Sequence, residues 1–61
     1  MTILGKVEHF LRRSDMPRTR FGRIAVNDPR LVDDLRRGRE PGPRTVARIE
    51  AALETLDGAV R

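Results

Sequence analysis

The amino-acid sequence predicts an all-α fold, a compact bundle of about four short helices. Three observations carry this. Apolar residues recur at three- and four-residue spacing in four separate segments. No segment alternates apolar and polar residues as a half-buried strand does. Gly and Pro cluster between the periodic segments, most densely in "GREPGP".

The first segment is "TILGKVEHFLRRS". Ile3, Leu4, Val7, Phe10 and Leu11 share one face, with Lys6, His9 and Arg13 opposite. Thr2 is suited to cap the N-terminus. Gly5 weakens the first turn by ~1 kcal/mol relative to Ala. "SDMP" closes the helix, because the residue before Pro17 is pushed away from helical angles. The second segment, "PRTRFGRIAV", opens on Pro17, which fits a first helical turn. Phe21, Ile24 and Ala25 mark its inward side. Gly22 in its middle is unfavourable unless something must approach closely there.

The third segment runs over about 29–37. Asp28 reads as its N-cap and Pro29 as its first residue. Leu31, Val32 and Leu35 form its apolar stripe, and Gly38 reads as its stop. The fourth, "PRTVARIEAALETL", places Val46, Ile49, Ala52, Leu53 and Leu56 on one side. Gly58 is expected to end it, leaving "AVR" as a short tail. Phe10 and Phe21 are expected at the centre of the core, since a platform for stacking bases has to be exposed.

With 61 residues the chain is one domain, spanning 1–61. A chain of this size buries only about 60% of its unfolded surface, so the core is marginal. Without Cys there is neither a disulfide nor a thiolate metal site. No apolar run approaches the ~20 residues that span a bilayer. The N-terminus lacks the pattern of a signal peptide. A cytoplasmic location is therefore expected.

The net charge is +4, and it is concentrated. Residues 12–39 hold nine Arg and four Asp, a balance of +5, whereas residues 40–61 come to −1. Of the 13 basic residues, 12 are Arg. A GC-rich genome accounts for a preference for Arg over Lys, but not for the clustering. Arg carries a planar fork that matches phosphates and guanine edges.

The second and third segments, over about 17–38, have the layout of a helix-turn-helix. One helix braces while the next enters the major groove of DNA. A small residue at Gly22 lets the two cross closely. At this point "FGRIAVNDPRLVDDLRRGREPGPRTVARIEAAL" resembles the lambda-repressor-like, Cro-type (XRE) helix-turn-helix family, over residues 17–56. The matching features are the hydrophobic–small pair Phe21–Gly22 and the anchors Val32 and Leu35. Gly38 after the recognition helix and an apolar closing helix over 45–56 complete them. Two places depart from the family pattern. Val26 and Asn27 stand where the turn usually carries Gly and an apolar residue. Pro17, Arg18 and Thr19 replace the glutamine often found at the start of the brace helix. The resemblance implies a small bacterial or phage transcription regulator that binds double-stranded DNA.

Asp33 and Asp34 lie in the middle of the recognition segment. Three- and four-residue spacings relate them to Arg30, Arg36 and Arg37, where helix side chains meet. The expectation is an arginine lattice along one helix. Arg30, Asp33 and Arg37 then share the outward face as candidate base contacts. Arg pairs with guanine, and a carboxylate accepts from the cytosine amino group. If the lattice is only solvated, each pair contributes a few tenths of a kcal/mol and nothing to recognition. Candidate phosphate contacts are Arg18, Arg20, Arg23, Arg36, Arg39 and Arg44, the last beside a helix N-terminus.

Nothing reads as catalytic. His9 is the single histidine, with no Cys beside it and no Gly-rich phosphate loop elsewhere. No metal, cofactor or small-molecule substrate is expected. Expected partners are double-stranded DNA and either a second copy of the chain or a second regulatory protein. A homodimer is expected to meet through Leu56, Ala59 and Val60. The competing reading is a helical protein–protein interaction module, antitoxin-like or a partner of another regulator. The acids on the third helix favour it. RNA binding has weaker support, because nothing resembles an RNA module.

Overall fold

The computed structural model describes residues 2–60, with side chains described over 2–58. Four helices follow in order: α1 (Ile3–Ser14), α2 (Arg18–Val26), α3 (Leu31–Arg36) and α4 (Pro43–Val60). The described residues contain no strand.

Each boundary has a local cause. Thr2 caps α1, its Oγ1 accepting the Gly5 N–H at 3.0 Å, so Gly5 is tolerated in the first turn. At the other end Asp15 takes a left-handed conformation with φ 58°, and its N–H donates to the Leu11 carbonyl. Arg12 and Arg13 complement the dipole there. Pro17 stands just before α2 rather than inside it, with extended angles, and its carbonyl receives the Phe21 N–H at 3.1 Å. α2 ends at Asn27, also left-handed with φ 58°, whose N–H returns to Arg23. Asn tolerates this region better than most residues with a Cβ.

The third helix is shorter than expected. Its N-cap is Arg30 and not the expected Asp28; Asp28 Oδ1 accepts the Arg30 N–H at 2.9 Å in the turn before the helix. Pro29 and Arg30 form a turn, and regular helix begins at Leu31. At its far end Gly38 takes φ 96°. The Gly38 N–H reaches Leu35 and the Arg39 N–H reaches Asp34, both at 3.1 Å. This paired closure satisfies two carbonyls that the helix leaves open. In contrast, Gly58 does not end α4. The helix continues to Val60, because Gly disfavours a helix by only ~1 kcal/mol and no Pro follows. Arg13 on α1 forms an ion pair with Asp57, tying down the last turns of α4.

The core consists of Val7, Phe10, Phe21, Ala25, Leu31, Val32, Leu35 and Ile49. Phe10 and Phe21 meet in a tilted pair with ring centroids 5.8 Å apart, a favourable geometry for aromatic quadrupoles. α4 packs on α1 and α2, while α3 packs on α2 and α1. One inward assignment fails. Ile24 is 47% exposed, because the buried side of α2 centres on Phe21, Gly22 and Ala25, and Ile24 lies roughly 100° around the helix from it.

Candidate nucleic-acid interface

The α2–α3 pair is fixed by backbone contact. A Cβ placed on Gly22 would lie 2.2 Å from the Asp28 carbonyl oxygen and 3.2 Å from the Leu31 Cβ. No side chain fits there. The Gly22 carbonyl in turn accepts the Asp28 N–H at 3.1 Å. The unfavourable glycine of the brace helix thus has its reason in the crossing of the two elements, as the sequence predicted.

The arginine lattice does not form along α3. Asp33 binds Arg18 of α2 instead, through Nε at 2.7 Å. Asp34 pairs with Arg39 beyond the helix, at 3.1 Å. Arg36 reaches across to Glu8 of α1, again through Nε at 2.7 Å. The reason is placement. The Asp34 side chain is only 21% exposed, and Asp33, 39% exposed, stands on the side of α3 within reach of Arg18 of α2. At that edge arginines from neighbouring segments arrive first. No spacing rule could have found these partners, which are 15 and 28 residues apart in two of the three cases.

The candidate contacts therefore divide. Arg18, Arg36 and Arg39 are held by carboxylates. Arg20, Arg23, Arg30, Arg37 and Arg44 are exposed, with no carboxylate within 4.0 Å among the described residues. Arg30 and Arg37 flank α3 at its two ends, as its N-cap and C-cap residues. Arg12 and Arg48 are likewise exposed and unpaired among the described residues. Neither was among the residues expected from the sequence to contact nucleic acid.

Of the dimer candidates, Leu56 is half-buried against the core. The side chains of Ala59 and Val60 lie outside the described residues. Among the described residues no three His, Cys, Asp or Glu side chains are grouped to hold a metal ion. No described helix is long and apolar enough to cross a membrane. No protein-family model matches the chain, and no curated protein or solved structure matches it significantly.

Proposed function

We propose that this chain is a small sequence-specific regulator of transcription that binds double-stranded DNA. It would work in a bacterial or phage cytoplasm, with the segment over about 29–37 in the major groove. The observation that carries the reading is the α2–α3 crossing, closed to backbone contact at Gly22. Four exposed arginines without carboxylate partners surround it: Arg20, Arg23, Arg30 and Arg37. A braced helix with uncompensated guanidinium groups at both ends suits a groove lined by phosphates and guanine edges.

In this reading Arg30 and Arg37 contact bases, while Arg20, Arg23 and Arg44 neutralise phosphates. Arg18, Arg36 and Arg39 reach phosphate only after leaving their carboxylates. The Cα envelope measures 30 × 23 × 19 Å, smaller than the ~34 Å of one DNA turn. A second copy on an adjacent half-site extends the contact, with Leu56 among the residues that meet it.

A second reading, a helical protein-interaction module, has one observation in its favour. Among the described residues Ile24 is the exposed large hydrophobic one, and it opens on a groove with Ala51, Ala52, Thr55 and Leu56. In vitro selection of duplexes from a random pool separates the two. The DNA reading expects an enriched motif. It also expects affinity to fall on the order of 10²–10³-fold between ~50 and ~200 mM salt, for about four to six neutralised phosphates. Absence of both an enriched motif and binding at ~50 mM salt would leave the interaction module.

A further inference from the structure

Between Arg18 and Arg39 there are seven arginines, in two populations that charge counting cannot separate. Arg18, the first residue of α2, is tied to α3. Arg36, the last residue of α3, is tied to α1. Arg39, beyond the glycine stop, is tied back to α3. The other four reach no carboxylate among the described residues. Two of the ties run through guanidinium Nε at 2.7 Å, the length of a charge-assisted hydrogen bond. Each carboxylate takes one guanidinium nitrogen, Nε of Arg18 and Arg36 and Nη1 of Arg39, and competes there with a phosphate oxygen.

We infer that Glu8, Asp33 and Asp34 set selectivity by withholding Arg36, Arg18 and Arg39 from nucleic-acid phosphate. This rests on the DNA-binding reading above. Sequence-independent affinity grows with the number of phosphates neutralised, and one more contributes roughly eight-fold at ~0.1 M salt through counterion release. An arginine in an exposed ion pair must first give up its partner, which favours the paired form by about 1.5- to 5-fold. The two factors are of similar size. Each tie removes much of the gain its arginine would bring, and the freed carboxylate would then face phosphate as a like charge. Arg30 and Arg37 carry no such tie, so contacts to base edges keep their full strength. Binding to unselected DNA weakens more than binding to the selected site.

The isosteric variants Asp33→Asn, Asp34→Asn and Glu8→Gln release one arginine each. The probes are a mixed-sequence duplex and the duplex obtained by selection, titrated with salt against the full chain. Each variant is expected to bind mixed-sequence DNA about two- to eight-fold more tightly at ~0.1 M salt. Its salt dependence should steepen by a fraction of one ion, and its preference for the selected duplex should fall. The double variant Asp33→Asn with Arg18→Gln should return to the wild-type slope, which separates release of Arg18 from the mere loss of a negative charge. In free wild-type protein the Arg18 and Arg36 Nε–H groups should exchange slowly by NMR, and this protection should vanish in Asp33→Asn and Glu8→Gln respectively. Thermal melts identify any variant that fails to fold; the NMR measurement on wild-type protein stands regardless. If wild type binds the selected duplex but the folded variants keep its slope and preference, withholding is overturned and the DNA reading survives. Rapid exchange at both Nε–H groups overturns the ties themselves. Failure of the wild type to bind any duplex at ~50 mM salt overturns both readings.

Discussion

The α2–α3 pair and the α1–α4 pair belong to one small core but are held by different means. Between α2 and α3 the buried side chains Phe21, Ala25, Leu31, Val32 and Leu35 are joined by one backbone contact, Gly22 against the Asp28 carbonyl, with Asn27 and Gly38 in left-handed conformations at the two helix ends. Around α1 and α4 the contact is made by side chains. Apolar residues fill the middle, while Lys6–Glu50 at 3.8 Å and Arg13–Asp57 close the rim. Backbone contact leaves no adjustment, whereas side chains can repack. The rigid pair is the one that carries the candidate interface, and the adjustable pair is the frame behind it.

The strongest way to break this contrast is Gly22→Ala. The new Cβ cannot be accommodated unless the Asp28 carbonyl moves, and that carbonyl accepts the Leu31 N–H at 3.2 Å. The expected loss is about 3 kcal/mol or more, which is most of the stability of a domain this small. Circular-dichroism melting checks it; a melt close to wild type would show that the crossing has slack. Next comes Ile49→Ala on α4, where a fully buried side chain is truncated. About 2–4 kcal/mol should be lost by chemical denaturation, with the α2–α3 geometry retained.

Smaller effects sharpen the contrast through sign. Gly38→Ala forces a Cβ into φ 96° and should destabilise by about 1–2 kcal/mol. Gly58→Ala, in a helix with open space around the position, should stabilise by about 0.5–1 kcal/mol. Equal shifts of melting temperature in the two variants would contradict the assigned conformations. The smallest effect belongs to Asp57→Asn. Its pair with Arg13 is substantially solvated, so the loss should stay below about 1 kcal/mol and shrink further in high salt.

What was legible in the sequence follows the same division. Gly22, Gly38 and Thr2 announced their roles because backbone conformation and capping depend on neighbours a few residues away, whereas the cap expected of Asp28 fell to Arg30 when a turn over Pro29 and Arg30 preceded the helix. The core was readable from periodicity, including the Phe10–Phe21 pair. Ile24 was misplaced because a nine-residue helix can rotate slightly about its axis without violating its own spacing. The partners of Asp33, Asp34 and Arg36 were not readable. Local spacing offered each carboxylate an arginine three or four residues away, and tertiary packing supplied a nearer one. The stop at Gly58 failed for a related reason: a glycine ends a helix only where the following chain gains by turning away. The positions of the candidate site were therefore visible, while its electrostatic division was not.

The missing Cβ at Gly22 also separates shape from lettering. Because the crossing of α2 and α3 is set by the backbone contact at Gly22 and by buried side chains, exposed residues around it can change without touching what holds the two helices together. Arg20, Arg23, Arg30 and Arg37 occupy such positions. The unit behaves as a fixed bracket whose outer surface can be rewritten. If the proposed DNA reading holds, new preferences among sites become a matter of exchanging guanidinium groups on that frame.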